Sequence, residues 1–137
     1  MAQRILVIDD DPMIQQFAAT VLQASGFQVE TAASGLAGLG KAGTHPPALV
    51  LLDVMMPGLD GYEVCRRLRQ GAKTAEVPVI MITASNEPSL NRKAYEAGAH
   101  ACVLKPIRIE SLIATINAVL ASTAKGKGGT PPDPTQS

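Results

Sequence analysis

The sequence predicts an α/β fold in which helices cover both faces of a five-stranded parallel sheet. Apolar runs of strand length alternate with helical patterns five times along the 137 residues, which favours right-handed β–α–β units. Two of the runs, within HPPALVLLD and VPVIMIT, are apolar on both faces, as expected of central strands between two helical layers. The length suits one domain with a sizeable core.

The first third of the chain predicts two strands and two helices. RILVID gives the first strand, and Asp11 and Pro12 are suited to cap and begin a helix that Gly26 ends. The apolar face of this helix is expected to carry Ile14, Phe17, Val21 and Leu22. FQVETA alternates between apolar and polar residues, which predicts a half-exposed edge strand. Ser34 begins a second helix, which is weak because its glycines lower helix propensity.

The remaining elements continue the alternation. HPPALVLLD supplies the central strand, and the turn-rich MPGLDG leads into the helix GYEVCRRLRQ, whose arginines lie opposite its apolar stripe. VPVIMIT gives the fourth strand, and a thin apolar stripe predicts a helix over Asn86–Ala97. HACVLK is the fifth strand, followed by a strongly amphipathic helix that begins near Ile109.

The folded domain is expected to cover residues 1–123. Residues 124–137 are rich in Gly and Pro, which predicts a disordered tail or linker. The amino terminus is too short in apolar residues for a secretory signal, and no apolar run approaches the roughly 20 residues that span a bilayer. The sequence therefore predicts a cytoplasmic protein without membrane insertion, in which Cys65 and Cys102 are reduced core thiols.

Composition argues against direct binding of nucleic acid. The 12 basic and 12 acidic residues cancel to a formal charge of zero, so the basic surface of a DNA-binding domain is not expected. Aromatic residues make up 3% of the chain and Trp is absent, which leaves few side chains on which single-stranded bases could stack.

Residues suited to phosphoryl chemistry lie at the ends of four predicted strands. They are Asp9 and Asp10 after the first, Asp53 after the third, Thr83 ending the fourth and Lys105 after the fifth. Ligands of an open parallel sheet bind beyond the carboxyl ends of its strands, so these side chains are expected to converge. Packed carboxylates repel one another unless a cation lies between them, and oxygen ligands suit a hard ion. The sequence therefore predicts a Mg²⁺ site.

The same motifs, taken in order, make the chain resemble the response-regulator receiver family. They are the IDD pair, the aspartate that ends ALVLLD, the loop MPGLDG, the threonine in MITA and the KP pair, and the resemblance covers residues 4 to about 121. It implies a doubly wound, flavodoxin-like sheet with the strand order 2-1-3-4-5. It also implies a switch rather than an enzyme, apart from self-phosphorylation and autodephosphorylation.

The resemblance implies a role for each matching residue. Asp53 is similar to the aspartate that accepts a phosphoryl group from a phosphohistidine in a two-component or phosphorelay system. Asp9 and Asp10 resemble the acidic pair that binds Mg²⁺ together with Asp53, and the backbone carbonyl of Met55 would complete the coordination. Such a site needs a positioned nucleophile and positive charge on the phosphoryl oxygens.

The remaining matches concern the phosphorylated state. Thr83 resembles the hydroxyl residue that binds a phosphoryl oxygen, with the backbone of Ala84 beside it, and Lys105 resembles the lysine that pairs with the same group. Pro106 matches the expected KP turn. New bonds to Thr83 and Lys105 would bias an interaction surface between two states.

The chain departs from the usual receiver pattern near Cys102, where receivers commonly carry an aromatic residue that swings inward on activation. A cysteine cannot reproduce that movement, so the Thr83 half of the switch is expected to remain. Met55 and Ser85 occupy the variable positions that flank the path of the attacking water. Neither is an acid that could orient water, and we expect a long-lived phosphoryl group.

A haloacid-dehalogenase-like phosphatase is the main alternative, because ILVIDDDP also fits four apolar residues followed by Asp-x-Asp. Asp9 would then be the nucleophile and Asp11 the acid. Such enzymes need a further acidic pair after the lysine, whereas here only Glu110 and Asp133 follow Lys105. This alternative also leaves Asp53 unexplained.

Two other readings are weaker. A flavin-binding module would share the topology, but the acids after the first strand would repel a phosphate. A receiver that signals without phosphorylation is disfavoured by its complete set of site residues. The expected partners are a sensor histidine kinase or a histidine phosphotransfer protein, together with a downstream protein target. The resemblance also allows a phosphorylation-dependent homodimer.

Overall fold

A computed structural model of the chain describes residues 3–85 and 87–125 and confirms the predicted α/β fold. The strands are β1 (Arg4–Ile8), β2 (Gln28–Ala32), β3 (Leu49–Asp53), β4 (Val79–Thr83) and β5 (Ala101–Leu104). The helices are α1 (Pro12–Ala24), α2 (Gly35–Thr44), α3 (Gly61–Gln70), α4 (Pro88–Glu96) and α5 (Ile109–Lys125). The strands form one parallel sheet in the predicted order β2-β1-β3-β4-β5.

Alternate residues of each strand point into two separate cores, one on each face of the sheet. In β3, Val50 and Leu52 pack with α2, α3 and α4, whereas Leu49 and Leu51 pack with α1 and α5. Every residue of β3 and of β4 is buried, which confirms that these strands are central. The outer strand β2 is half-exposed over most of its length, as its alternating sequence predicts.

Helix α1 begins as predicted but buries a different stripe. The Asp11 side chain caps it by accepting a hydrogen bond from the Met13 amide at 2.9 Å. Its fully buried residues are Ala18 and Leu22, whereas Phe17 is 37% exposed. Neighbouring helix residues differ by about 100° around the axis, so a stripe centred on Ala18 leaves Phe17 at its edge. The predicted burial of Phe17 is therefore wrong.

The glycines of α2 allow the helix to lie close to its neighbours. A Cβ atom at Gly38 would overlap the Ile8 side chain of β1, and one at Gly35 would lie 2.6 Å from Val64 Cγ2 of α3. Ser34 caps this helix by accepting from the Ala37 amide at 3.1 Å. Close packing therefore compensates for the low helix propensity of glycine.

The last two helices differ from prediction at their ends. Helix α4 begins at Pro88, which suits a first helical turn, and it ends before Gly98, whose φ is +108°. Asn86, the predicted start of α4, lies outside the described residues. Helix α5 runs to Lys125, two residues beyond the predicted domain end, and the predicted tail over 126–137 lies outside the described residues. Among the helices that the structure describes, none is long and apolar enough to cross a bilayer.

Arg69 joins three parts of the fold, although its helix pattern predicts a solvent-facing arginine. Its Nε and Nη2 atoms donate to the Gly98 carbonyl at 3.1 and 2.8 Å. Its Nη1 atom donates to the carbonyl oxygens of Val77 at 2.7 Å and Ala75 at 3.2 Å. The guanidinium thus connects the end of α3 to the segments that precede β4 and β5.

Replacing Arg69 with methionine is expected to lower the free energy of unfolding by about 1–2 kcal/mol, because several carbonyl oxygens lose a charged donor. Urea denaturation would measure this change. Arg66→Met is the matched control, because Arg66 is exposed and pairs only with Glu63 at 3.2 Å among the described contacts, a surface pair of small effect. Equal losses in the two variants would contradict the proposed bracing role of Arg69.

Candidate functional site

The carboxyl ends of β1, β3 and β5 bring four of the predicted site residues together. Asp9 follows β1, Asp53 ends β3 and Lys105 follows β5. The carboxylate oxygens of Asp9, Asp10 and Asp53 lie within 4.8 Å of one another, and we call these three side chains the acidic cluster. Asp9 and Asp53 are buried, at 2% and 3% exposure, whereas Asp10 is exposed.

Lys105 supplies the positive charge that contacts the acidic cluster. Its Nζ lies 3.2 Å from Asp53 Oδ1. With all three carboxylates ionised, the cluster and this lysine carry a net charge of −2. Unscreened negative charge in a buried site is unfavourable, so the arrangement is suited to bind a divalent cation.

Asp9 has one carboxylate oxygen satisfied and one free. Oδ1 accepts a hydrogen bond from the Asp11 amide at 2.9 Å. Oδ2 is buried and has no hydrogen-bond partner among the described residues. Burial raises the pKa of the Asp9 carboxyl although the Asp11 amide opposes this effect, and the charge of Asp53 raises it further. A buried oxygen without a partner, among hard oxygen donors, fits a metal such as Mg²⁺.

Thr83 ends β4 and is buried, next to the other strand ends. Its hydroxyl accepts a hydrogen bond from the Ser85 amide at 3.2 Å and donates to the Ser85 carbonyl at 3.3 Å. Ser85 Oγ in turn accepts from the Glu87 amide at 3.2 Å, just before α4. Ala84, between Thr83 and Ser85, is exposed. A hydrogen-bonded chain therefore leads from Thr83 to the start of α4.

The loop after β3 folds back against Asp53. The Gly61 amide donates to the Val54 carbonyl at 3.0 Å. A Cβ atom at Gly61 would lie 2.6 Å from the Asp53 carbonyl oxygen and 2.8 Å from Val54 Cα. Only glycine lets α3 begin this close to the Asp53 backbone. The Met55 side chain is 75% exposed, so any contribution of this residue to the site comes from its backbone.

Two further predicted residues lie on or after β5. Pro106 follows Lys105 through a cis peptide bond. Cys102 is partly buried against the core on the α2, α3 and α4 side of the sheet. Burial raises the pKa of its thiol, and the opposing effect of Tyr95 on α4 is smaller. The thiol is therefore uncharged at neutral pH and lies beside a phenol that is 53% exposed.

Two residues around the site escaped sequence reasoning. Gly61 looks like an ordinary turn glycine in MPGLDG, and only its distance to the Asp53 backbone marks it as essential. Gln15 looks like a polar surface residue of α1, yet its Nε2 donates to the Asp9 carbonyl at 2.7 Å. Its distance of six residues from Asp9 is the one signal in the sequence, since the first turn of a helix can reach back to the preceding strand end.

Comparison with known proteins is consistent with this geometry. A family model described as the response regulator receiver domain matches residues 5–117. Protein PilH of Pseudomonas aeruginosa is 37% identical over 118 residues, which cover 86% of this chain and 98% of PilH. The DNA-binding dual master transcriptional regulator RpaA of Synechocystis is 38% identical over 120 residues, covering 88% of this chain and 50% of RpaA. The chain thus spans about half the length of RpaA.

Solved structures show the same architecture. The chemotaxis protein CheY4 of Vibrio cholerae superposes with a TM-score of 0.84 at 30% identity, covering 87% of this chain and 99% of CheY4. The BeF3-activated DrrB receiver domain superposes with a TM-score of 0.80 at 33% identity, covering 88% of this chain and 99% of that domain.

Proposed function

Since this chain belongs to the response regulator receiver family of two-component signalling, we propose that Asp53 accepts the phosphoryl group and that the acidic cluster holds Mg²⁺. The observation that carries the proposal is the contact of Asp53 with Lys105 at 3.2 Å, inside a group of three carboxylates. A nucleophile, a metal-binding set and a cation for the incoming charge are thereby adjacent.

Asp53 is suited to in-line attack on phosphorus. Its carboxylate oxygen would form the new O–P bond while the P–N bond to a donor histidine breaks and the imidazole leaves. Lys105 is placed to neutralise charge on an equatorial phosphoryl oxygen, and the Thr83 hydroxyl and the Ala84 amide are near enough in the chain to donate to another. The product is an acyl phosphate on Asp53.

The metal would be held by Asp9, Asp10 and Asp53, with the Met55 carbonyl as a backbone ligand. Mg²⁺ bound there would screen the carboxylates from an anionic phosphodonor and bind a phosphoryl oxygen. The unpartnered Asp9 Oδ2 atom and the net charge of −2 support this role. Asp9 and Asp10 would thus bind the metal and take no part in nucleophilic attack.

Nothing in the family match or the structural neighbours supports a phosphatase with Asp9 as nucleophile. One Asp9 oxygen already accepts from the Asp11 amide, and the raised pKa of this carboxyl makes it the poorer nucleophile. Asp53, by contrast, lies directly beside the lysine.

Phosphorylation would change the hydrogen bonds of Thr83. In the present state the Thr83 hydroxyl bonds to the Ser85 backbone, and Ser85 Oγ bonds to the Glu87 amide before α4. A phosphoryl oxygen would compete for the Thr83 hydroxyl and release Ser85, which would move the start of α4. This route needs no aromatic residue at Cys102. The face near α4, β5 and α5 would then favour a protein target or a second copy of the chain.

Response regulators receive phosphoryl groups from sensor histidine kinases, and a kinase or a histidine phosphotransfer protein is the proposed donor here. The proposed receiver unit is residues 1–123, with 124–137 as a linker or tail. RpaA is described as a DNA-binding regulator, but the charge balance of this chain supports a protein target in place of DNA.

Acetyl phosphate with Mg²⁺ is expected to add one phosphoryl group to the isolated protein, on Asp53. Intact mass spectrometry would show the added mass, and peptide mapping after borohydride trapping would place it. Chelation of Mg²⁺ and Asp53→Asn should each abolish labelling, whereas Asp60→Asn, at an exposed cap of α3, should retain it. Label on another residue, or none in the presence of Mg²⁺, would overturn the proposal.

A further inference from the structure

We infer that Gln15 is a positioning residue for the metal site, acting through the backbone between Asp9 and Asp10. The inference rests on the proposed function, because it concerns the acidic cluster as a Mg²⁺ site. Its starting observation is the hydrogen bond from Gln15 Nε2 to the Asp9 carbonyl at 2.7 Å, which is partly buried. Gln15 belongs to α1 and touches no carboxylate of the cluster among the described hydrogen bonds.

Asp9 is held on three sides, which leaves a single oxygen for the cluster. Its amide donates to the Ala32 carbonyl of β2 at 3.0 Å. Its Oδ1 accepts from the Asp11 amide at 2.9 Å, and its carbonyl accepts from Gln15 at 2.7 Å. The Oδ2 atom alone has no partner among the described residues. The surrounding bonds therefore aim one buried oxygen of Asp9 at the position that a cation would take.

The Gln15 bond controls the peptide plane that joins Asp9 to Asp10. This peptide is rigid, so fixing its carbonyl oxygen also fixes where the Asp10 backbone starts. Asp10 is exposed and follows the end of β1, so the pairing of β1 with its neighbours does not hold it. Of the described side chains, Gln15 is the one that donates to this peptide plane, and it ties both acidic residues to α1.

A metal site binds more tightly when its ligands are held in place before the ion arrives, because less ordering is required on binding. Without the Gln15 donor, the Asp9 carbonyl would be free to turn toward solvent, and Asp9 and Asp10 would sample more arrangements. The expected consequence is weaker Mg²⁺ binding with the same ligands. The nucleophile Asp53 on β3 is held by other contacts and should be unaffected.

The test compares Gln15→Met with Gln16→Met. Methionine has a similar length and high helix propensity but cannot donate, and Gln16 is the exposed neighbour on the same helix. Isothermal titration with Mg²⁺ alone should give a Kd about 3–10-fold higher for Gln15→Met and an unchanged value for Gln16→Met. At saturating Mg²⁺, labelling of Asp53 by acetyl phosphate should return to the wild-type rate, which separates positioning from catalysis.

A second readout does not need the metal. The ¹³C resonance of the Asp9 carbonyl in the metal-free protein should shift in Gln15→Met and not in Gln16→Met. An unchanged Mg²⁺ Kd in Gln15→Met, with or without lower stability, would overturn the inference and assign Gln15 a structural role only. Wild-type protein that binds no Mg²⁺ would instead overturn the proposed function.

Discussion

Replacing Gly61 with alanine is expected to lower the free energy of unfolding by about 3 kcal/mol and to slow the phosphorylation of Asp53. The added Cβ would lie 2.6 Å from the Asp53 carbonyl oxygen and 2.8 Å from Val54 Cα. Both neighbours are backbone atoms, which cannot turn aside as a side chain can. Either α3 must move away or the end of β3 must shift, at a cost typical of overpacking.

The helix propensity of alanine acts in the opposite direction but is too small to compensate. Gly61 is the first residue of α3, and alanine in a helix interior gains at most about 1 kcal/mol over glycine. The clash therefore decides the sign. Gly40→Ala is the matched control, because a Cβ at Gly40 in α2 meets nothing within 4 Å. That variant should be stabilised by about 0.5–1 kcal/mol.

Thermal or urea denaturation would measure the stability of both variants, and the rate of labelling by acetyl phosphate would measure the effect on Asp53. A Gly61→Ala protein with wild-type stability and wild-type labelling would show that the loop relaxes without moving Asp53. The bracing of the phosphoacceptor by α3 would then be wrong.

The parts of this fold that the sequence predicts are those that depend on periodic burial. The runs in HPPALVLLD and VPVIMIT are apolar on both faces, and β3 and β4 are buried throughout. The convergence of Asp9, Asp53 and Lys105 follows from the same parallel sheet, because each lies at or just after the carboxyl end of its strand. Position along a strand is a one-dimensional property, and a sequence contains it directly.

Other features depend on distances between elements and could not be predicted. Gly61 differs from Gly40 only in what lies near its missing Cβ. Arg69 differs from Arg66 because the segments near Gly98 and Val77 pass within reach of its guanidinium. Phe17 lies at the edge of the buried stripe of α1 because the helix is rotated to bury Ala18. Helix rotation and loop paths are properties of the packed structure, so local sequence carries little information about them.

Replacing Asp9 with asparagine is expected to stabilise the metal-free protein while removing its response to Mg²⁺. In the wild type, Asp9 Oδ2 is buried without a hydrogen-bond partner among the described residues and faces two other carboxylates. The asparagine oxygen can keep the bond to the Asp11 amide, and its NH₂ group removes a negative charge from the cluster. We expect a gain of about 1 kcal/mol in the free energy of unfolding at neutral pH.

The sign of the pH dependence follows from the raised pKa of Asp9 in the folded state. Its ordinary value is 3.8, so between that value and the raised one the folded protein binds more protons than the unfolded chain. The contribution of Asp9 to stability therefore falls as the pH rises through this window and is lowest above the raised pKa. The advantage of Asp9→Asn should be present at neutral pH and disappear as the pH falls toward the ordinary value.

Mg²⁺ should reverse the ranking of the two proteins. A ligand that binds only the folded state stabilises it in proportion to the logarithm of its concentration over Kd, so wild type should gain melting temperature with Mg²⁺ while Asp9→Asn gains little. Asp60→Asn is the matched control, because Asp60 is an exposed cap of α3 and asparagine caps equally well. It should keep both wild-type stability and the Mg²⁺ response. A metal-free Asp9→Asn protein less stable than wild type at neutral pH would show that the acidic cluster is not under electrostatic strain, and the argument for a divalent cation would lose its physical basis.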